Sequence, residues 1–502
     1  MDNPLPENRV SDRPSILLFM CDQLNAAALG CYGGPFPTPN LDRLAGEGVR
    51  FTDATCPYPV CSPSRASLVT GLYPHAHGIV YNVNRRDYPA ISVPPTQEGI
   101  KLADVTTEGL LHAAGYRTHH YGKWHLLDED LPYYPDMYGE HHEYAREMRE
   151  RFESVRAAPR ESWMDWYGWA LPTRRSGPMR EAVAALGDRW ADARLADFVT
   201  KIGRLEMAPE ETFDARVADH AAERLRAVGA DPFMLTCSFN WPHDPNVVPS
   251  PYYEAIDPDA IPLPANREHR EPRFEENWSR RIVADLGEAA SREVLRVYHA
   301  TVKLVDDGVG RVLSALEAAG RAGDTIVVFT ADHGDMAGGH GMVWKSTHAF
   351  YDEIVRVPML IRWPGRIEPG VSGAAANLVD LMPTLLELAG QTAPEGAQGE
   401  SLAPLLLGEA GEDAFRPYAF SERVHANAAN TRAIEPGATF GVMVRGQGWK
   451  YVRYEDGDEY LYDLARDPGE TRNLAREGAQ AARKAGLVRE IEAWLDATGY
   501  RR

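Results

Sequence analysis

Short apolar runs alternate along the chain with segments whose apolar positions recur at the helical period. The runs at 15–21 and 325–330 are continuously apolar or small and end at acidic residues, as is typical of buried parallel strands. Further strands are predicted at 232–239 and 357–362. Helical patterns are predicted at 41–47, 64–70, 106–114, 212–228, 291–319 and 382–389.

This alternation predicts an α/β fold with a large mixed, mostly parallel sheet sandwiched by helices. We assign residues 1–396 to this main domain, with an insertion of helices and long loops at about 127–210, where the sequence becomes charged and aromatic. Residues 397–502 are expected to form a smaller C-terminal α+β subdomain. It would contain a small antiparallel sheet, with strands at 440–445, 449–454 and 459–464, and a terminal amphipathic helix at 481–498.

Charge and composition narrow the class of protein. The 53 Lys and Arg residues against 73 Asp and Glu residues give a net charge of −20, which argues against binding to nucleic acid or to an anionic membrane. No apolar segment is long enough to cross a bilayer, and the N-terminus does not resemble a secretion signal. Together with five cysteines, an odd number without zinc-ligand spacing, these features predict a cytoplasmic protein without a disulfide framework.

Two predicted strands end in polar pairs, Asp22-Gln23 and Asp332-His333. The carboxyl ends of parallel strands share one edge of a sheet, so we expect these pairs to meet. Carboxylate and amide oxygens with a ring nitrogen suit a divalent cation. The alternative is that the acidic residues only cap the helices that follow.

Cys61 lies in the segment Cys61-Ser62-Pro63-Ser64-Arg65. Pro63 and Ser64 can start a helix, which would place Cys61 just before a helix N-terminus, where an anion is favoured. A thiol there, with Arg65 one turn away, should be acidic and reactive. A buried cysteine before a capped helix is the alternative, because free cysteine is a common core residue.

The same segment resembles the C-x-P-S-R element of the type I, formylglycine-dependent sulfatases of the alkaline-phosphatase-like superfamily. Other motifs follow in the family's order over almost the whole chain. They are Thr38-Pro39-Asn40-Leu41-Asp42, Gly48-Val49-Arg50-Phe51, Gly122-Lys123-Trp124-His125, Pro242-His243, Ala331-Asp332-His333-Gly334, Lys345 with Arg356-Val357-Pro358, Val379-Asp380-Leu381-Met382-Pro383-Thr384 and Tyr462-Asp463-Leu464. Each motif alone is weak, but their collinear agreement is hard to obtain by chance.

The resemblance implies that a maturation enzyme oxidises Cys61 to formylglycine, whose hydrated aldehyde attacks the sulfur of a sulfate ester. The remaining hydroxyl then collapses the sulfated hemiacetal, so that no water need attack the intermediate. In this reading Arg65 orients the nucleophile, Lys123 holds the sulfate and His125 takes the proton of the collapse. His243 would bind sulfate and, with Lys345, protonate the leaving oxygen, whereas the alternative for a lone Lys or His is a solvated surface group.

The resemblance also implies one divalent cation held by Asp22, Gln23, Cys61, Asp332 and His333. Many sulfatases have Asp in place of Gln23 and Asn in place of His333. Calcium is the expected ion, but the lower negative charge and the added nitrogen make manganese and magnesium competitors.

Several other histidine, arginine and aromatic residues are expected to serve the fold or the surface rather than the site. We predict that His75, His77, His119 and His120 are not cation ligands, although His77 is expected near the site. Arg85 and Arg86 could meet an anion on the substrate, but a solvated basic turn is favoured. The aromatic cluster at 163–169 could stack on a sugar or aryl ring, yet aromatic side chains at helical spacing more often pack in a core.

The predicted activity is sulfuric ester hydrolysis of a small-molecule or carbohydrate sulfate. Phosphonate monoester or phosphodiester hydrolysis is the main alternative, but such relatives tend to lack the Lys-x-His pair that Lys123 and His125 supply. A choline-sulfatase-like enzyme is a further alternative, supported by Asp22-Gln23 and Leu29-Gly30-Cys31-Tyr32-Gly33. A non-catalytic sulfatase fold is disfavoured, because every expected site position carries a competent group. The sequence leaves the alcohol and a homo-oligomeric state open.

Overall fold

The structure is a computed structural model that describes residues 13–83, 99–100, 104–126, 163–166, 169–187, 202–275, 278–345, 349–423 and 440–500. Its strands are β1 (Ser15–Asp22), β2 (Val49–Phe51), β3 (Arg117–Gly122), β4 (Trp163–Trp166), β5 (Trp169–Arg174), β6 (Ile202–Leu205), β7 (Phe233–Pro242), β8 (Asn246–Pro249), β9 (Thr325–Ala331), β10 (Met359–Arg362), β11 (Gly370–Ser372), β12 (Ala419–Arg423), β13 (Gly441–Gly446), β14 (Trp449–Tyr454) and β15 (Glu459–Asp463).

The helices are α1 (Pro39–Gly46), α2 (Cys61–Thr70), α3 (Pro74–His77), α4 (Thr107–Ala113), α5 (Gly177–Leu186), α6 (Phe213–Ala227), α7 (Tyr252–Ala255), α8 (Trp278–Ala318), α9 (Asp352–Val355), α10 (Leu381–Leu388), α11 (Ala403–Leu406) and α12 (Ala481–Ala497). Helix α8 begins well before the predicted 291–319 segment and is interrupted by Gly287, whose φ of 76° is not helical. Within the described ranges, no helix has the length and apolar character needed to span a membrane.

A seven-stranded sheet lies at the centre of the fold, in the order β11-β2-β10-β9-β1-β7-β3. Strands β3, β7, β1 and β9 run parallel, and β10 pairs antiparallel with β9. Every residue of β1, β7 and β9 is buried, which explains why all three strands are rich in apolar residues and carry no lysine or arginine. Helices α6 and α8 pack on each other and on β7. The predicted mixed, mostly parallel α/β sheet is confirmed.

The parallel register of β1 and β9 brings their carboxyl ends together. Cys21 pairs with Ala331, and the backbone N–H of Asp332 donates to the carbonyl of Cys21 at 3.1 Å. Because both strands point the same way, Asp22 and Asp332 leave the sheet at the same edge. The fold thus joins two polar pairs that lie about 310 residues apart in the sequence.

A second, four-stranded antiparallel sheet of β12, β13, β14 and β15 lies near the C-terminus, as predicted, and α12 packs against it. Its own apolar cluster includes Val442, Tyr451, Leu461 and Ile491. The edge strand β12 was not predicted from the sequence. The division of the chain at residue 396 stays a prediction.

The predicted insertion of helices and long loops was partly wrong. Among its described residues α5 is a helix, but β4 and β5 form an antiparallel pair in which Trp166 lies opposite Trp169. Trp163, Trp166 and Trp169 of the aromatic cluster therefore lie on strands rather than at helical spacing, and residues 167–168 of the cluster lie outside the described residues. Strand β6 pairs parallel with β8, about 40 residues further on, and such a non-local partner leaves no trace in the local pattern.

Candidate active site

The candidate site lies where β1, β9 and α2 meet. Asp22 is the last residue of β1, Asp332 follows β9, and Cys61 is the first residue of α2, with Val60 as its N-cap. The prediction placed Cys61 just before the helix. The helix starts two residues before Pro63, at Cys61 itself. Pro63 is tolerated there because a residue in the first turn of a helix needs no intrahelical partner for its backbone N–H, so its absence removes no hydrogen bond.

Four polar side chains converge on the sulfur of Cys61. Its Sγ lies 3.1 Å from Nζ of Lys345, 3.3 Å from Nε2 of His333 and 3.5 Å from Oδ1 of Asp22. His125 also hydrogen-bonds to Cys61. The thiol itself is fully buried, so it lies at the centre of a closed polar cluster.

The surroundings favour the thiolate of Cys61. Burial and the charge of Asp22 act to raise its pKa, but Lys345, Lys123 and His333 outweigh them and hold the pKa well below its usual range. The N-terminus of α2 adds positive potential at the same point. The lowered pKa agrees with the acidic thiol expected from the sequence, and its reactivity stays a prediction.

Arg65 holds the two buried carboxylates of the site. Its Nε donates to Oδ2 of Asp332 at 2.7 Å, and one terminal nitrogen donates to Oδ2 of Asp22 at 3.2 Å. The other terminal nitrogen donates to the carbonyl of Lys123 at 2.8 Å and to Oγ of Ser238 at 2.9 Å. Arg65 therefore contacts the carboxylates directly and fixes the end of β3 beside them.

Lys123 provides the second positive charge on Asp22. Its Nζ lies 2.6 Å from Oδ2 of Asp22, and both side chains are almost completely buried. Burial alone would raise the pKa of Asp22, but Lys123, then His243 and Arg65, hold that pKa well below its usual range. A carboxylate is therefore kept ionised inside the protein.

The donor atoms suit a divalent cation. One ligand atom from each of Asp22, Cys61, Asp332 and His333 lies within 4.8 Å of all the others. Nδ1 of His333 hydrogen-bonds to the carbonyl of Gly334 at 2.8 Å, so Nε2 is the ring nitrogen that faces Cys61 and could bind a cation once it is deprotonated. The two carboxylates offer the oxygen ligands that calcium, manganese and magnesium prefer, and the imidazole adds one nitrogen ligand.

The amide oxygen of Gln23 is a further atom that could bind a cation. Its amide nitrogen donates to Oδ2 of Asp335 at 2.7 Å, whereas its Oε1 is buried and has no hydrogen-bond partner among the residues that the structure describes. A buried carbonyl oxygen without a partner is costly unless a ligand completes it. The residues present therefore fit a cation at this point.

Residues next to the site adopt backbone conformations that L-residues rarely take. The φ angles of Gln23, His125 and Trp344 are 65°, 59° and 61°. Left-handed conformations at non-glycine positions cost energy and persist where the surroundings enforce them. The three turns that carry the candidate ligand Gln23, His125 and Lys345 are thus held by tertiary contacts.

His243 and Lys345 face each other across the site. Nε2 of His243 lies 2.8 Å from Nζ of Lys345, and Nδ1 of His243 is engaged by the backbone carbonyl of Asp244. The turn before His243 is fixed by Asp214, whose carboxylate accepts from the backbone N–H groups of Asn240 and Trp241, each at 2.7 Å. These contacts direct Nε2 of His243 into the cluster.

The structure thus brings together every predicted site residue. The sequence reasoning missed Asp335, Asp214 and Asp244. Asp335 and Asp244 directly follow the motifs Ala331-Asp332-His333-Gly334 and Pro242-His243, so a signal was present. Asp214 carried none beyond its place in the first turn of α6.

The other singled-out histidines have partners elsewhere. His75 pairs with Glu422, and Nε2 of His77 lies 3.0 Å from Oγ of Ser67. Nε2 of His120 lies 3.3 Å from the carbonyl of Lys123. Arg85 and Arg86 fall outside the described residues.

Two protein families match the chain. The family described as Sulfatase matches residues 14–391, and the family described as N-sulphoglucosamine sulphohydrolase, C-terminal, matches residues 338–496. The first match covers the central sheet and every candidate site residue. The second begins inside the loop that leads to Lys345 and ends within α12.

Similar proteins and structures agree with these matches. An ulvan-active sulfatase of Formosa agariphila is 29% identical over 469 residues, covering 92% of this chain and 77% of the relative. A solved structure of a 2-O GAG sulfatase aligns with a TM-score of 0.71 and 25% identity, covering 97% of this chain and 93% of that one. A phosphonate monoester hydrolase from Silicibacter pomeroyi aligns with a TM-score of 0.74 and 25% identity over 97% and 96% of the two chains.

Proposed function

The chain belongs to the sulfatase family and is a sulfatase, and from this premise we propose that it cleaves a sulfate monoester with a nucleophile derived from Cys61. The products are the free alcohol and inorganic sulfate. The observation that carries the proposal is the convergence of Lys345, His333 and Asp22 within 3.5 Å of the Cys61 sulfur at the N-terminus of α2.

The nucleophile requires a change at Cys61 after synthesis. We propose that a separate maturation enzyme converts Cys61 to formylglycine, which supplies a hydrated aldehyde as the attacking group. Residue 61 is the first residue of α2, where the positive end of the helix dipole favours a negatively charged group. Arg65 supports the position indirectly, because it holds Asp22 and Asp332 in place on either side.

A divalent cation would be held by Asp22, Gln23, Asp332 and His333, next to residue 61. It would supply positive charge against the sulfate oxygens, with calcium as the first choice and manganese or magnesium as alternatives. The buried, unpartnered Oε1 of Gln23 supports this assignment.

Two lysines flank the position that the sulfate group would occupy. Nζ of Lys123 contacts the carboxylate of Asp22, and Nζ of Lys345 contacts the sulfur of Cys61. Each ammonium group can therefore reach a sulfate oxygen bound beside residue 61 by a short movement. They bind the anionic group and offset the negative charge that develops during cleavage.

His243 and Lys345 are proposed to protonate the leaving alcohol. Their contact of 2.8 Å lets either group hold the proton that the departing oxygen needs. His125, which hydrogen-bonds to Cys61, is proposed to accept the proton that accompanies sulfate release. These roles are inferred from the contacts that Lys345 and His125 make with residue 61 and that His243 makes with Lys345.

Phosphonate monoester hydrolysis is the second candidate, because a phosphonate monoester hydrolase shares the fold over nearly the whole chain. The pair Lys123 and His125 favours sulfate. The substrate class proposed is a carbohydrate or small-molecule sulfate, in keeping with the names of the ulvan-active and 2-O GAG sulfatases. The predicted cytoplasmic location and a homo-oligomeric state stay predictions.

The test combines peptide mass spectrometry across Cys61 with turnover of an aryl sulfate and an aryl phosphonate monoester, using protein co-expressed with a maturation enzyme. We expect an aldehyde mass at residue 61 and sulfate release that Cys61→Ala abolishes. Cys31→Ala, which changes a half-buried cysteine away from the site, should keep full activity. A plain thiol with no turnover of either ester would overturn the proposal, and faster phosphonate than sulfate turnover would favour the second candidate.

A further inference from the structure

Gln23 differs from the other proposed cation ligands because its side chain ends in two atoms of opposite character. The amide oxygen can bind a cation, whereas the amide NH₂ group only donates hydrogen bonds. Rotating the amide by half a turn exchanges the two and would place N–H groups where a ligand oxygen is required. The protein must therefore select one orientation of this amide.

Asp335 makes that selection. Its Oδ2 lies 2.7 Å from Nε2 of Gln23, and Asp335 is 2% exposed. An ionised carboxylate only accepts hydrogen bonds, so the atom of Gln23 that faces it must be the NH₂ group. The oxygen of the same amide is then left buried and without a hydrogen-bond partner among the described residues, facing away from Asp335.

The second oxygen of Asp335 closes the loop that leads to Lys345. Oδ1 accepts from the backbone N–H of Ala337 at 2.7 Å and from that of Trp344 at 3.0 Å. Nδ2 of Asn25 donates to the backbone carbonyl of Asp335 at 2.9 Å, which ties this residue to the end of β1 as well. Lys345 directly follows Trp344, so its backbone position depends on this carboxylate.

We propose that Asp335 is a positioning residue that couples the cation ligand Gln23 to the loop carrying the proton donor Lys345. The inference rests on the proposed function, because it requires a cation at the site. Gln23 and Asp335 form a matched pair, since an acidic residue at position 23 would set two carboxylates against each other. A cation bound through Gln23 therefore also stabilises the closed loop at 337–344.

Two variants separate orientation from simple loss of a contact. In Asp335→Asn, the oxygen of the new asparagine still accepts from the backbone N–H groups of Ala337 and Trp344. The asparagine NH₂ group therefore faces the NH₂ group of Gln23, and the amide of Gln23 is forced to turn. In the double variant Gln23→Glu with Asp335→Asn, one oxygen of the new glutamate accepts from the asparagine and the other again faces the cation. The double variant should therefore restore what the single one loses.

The measurement is calcium affinity, determined by calorimetric titration of Ca²⁺ alone into chelator-stripped protein. We expect Asp335→Asn to weaken binding about 10- to 100-fold, the usual effect of losing a partner behind a metal ligand, and the double variant to recover most of the loss. Asp42→Asn is the matched control, because Asp42 also accepts backbone N–H groups, those of Cys31 and Thr38, but away from the site. It should leave the affinity unchanged.

Hydrogen exchange tests the coupling to the loop. Saturating Ca²⁺ should slow amide exchange in the peptide covering 336–345 of the wild-type protein, and this slowing should be lost in Asp335→Asn. Equal slowing in both proteins, wild-type affinity in Asp335→Asn, or no recovery in the double variant would overturn the inference. So would failure of both variants to fold, since Asp335 would then serve the fold rather than the ligand. Absence of Ca²⁺ binding by the wild-type protein would instead overturn the proposed cation site itself.

Discussion

Nζ of Lys345 lies 2.8 Å from Nε2 of His243, although 102 positions separate the two residues in the chain. The same ammonium group lies 3.1 Å from the sulfur of Cys61. One side chain thus links the proposed nucleophile to the proposed proton donor. This arrangement gives the first prediction.

Lys345→Ala should slow hydrolysis of an alkyl sulfate by about 10²- to 10⁴-fold in kcat, because the leaving alkoxide then lacks a proton donor. The loss should be at least about tenfold smaller for 4-nitrophenyl sulfate, whose leaving group needs no proton. Steady-state rates on the two esters measure the difference. Equal losses on both would show that Lys345 serves binding rather than proton transfer.

Arg65→Ala should destabilise the protein by about 3–5 kcal/mol, because it leaves the buried carboxylates of Asp22 and Asp332 without their shared partner. Urea unfolding followed by circular dichroism measures the change. Arg65→Lys should recover only part of it, since one ammonium group cannot reproduce the fork that contacts both carboxylates. A loss below about 1 kcal/mol, the value of an exposed ion pair, would contradict this account.

Divalent cation should stabilise the fold measurably. Ca²⁺ at about 100 times its dissociation constant should add about 2.7 kcal/mol to the free energy of unfolding of chelator-stripped protein. The gain should vanish in Asp332→Asn, which removes a ligand charge while keeping the shape of the side chain. Thermal unfolding with and without Ca²⁺, Mn²⁺ or Mg²⁺ is the measurement, and indifference to all three would count against the cation site.

The contact between His75 and Glu422 should make stability depend on pH. Nδ1 of His75 lies 2.9 Å from the Glu422 carboxylate, Nε2 contacts the carbonyl of Thr498, and the rings of Tyr73, Trp494 and Tyr500 surround the imidazole. Burial lowers the pKa of His75, but the hydrogen bond and charge of Glu422 outweigh it and raise that pKa above its ordinary value. The folded state therefore binds this proton more tightly than the unfolded state.

That stabilisation should be fully present below about pH 6.5, the ordinary pKa of histidine, and be lost as the pH rises through the higher pKa of the folded state. Glu422→Gln removes the charge and keeps an acceptor for Nδ1. We expect the stability difference between wild type and Glu422→Gln to be larger at pH 6 than at pH 9 in urea unfolding. A difference that is independent of pH would refute the assignment.

The sequence by itself determined the elements whose cause is local. The apolar runs of β1 and β9 and the polar pairs at their ends, Asp22-Gln23 and Asp332-His333, predicted both a buried sheet and the place of the site. The periodicity of α6 and the segment Cys61-Ser62-Pro63-Ser64-Arg65 predicted a helix beside it within one to three residues. Such patterns are legible because burial and helix initiation act on neighbours in the chain.

Only the tertiary structure decided which distant groups touch. The pairing of β6 with β8, the approach of Lys345 to His243, and the contact of His75 with Glu422 join residues about 40 to 350 positions apart, and no local period encodes them. The orientation of the Gln23 amide is of the same kind. A glutamine side chain can present either its oxygen or its NH₂ group. The meeting of β1 and β9 brings the carboxylate of Asp335 to Gln23, and that carboxylate determines which of the two groups remains available.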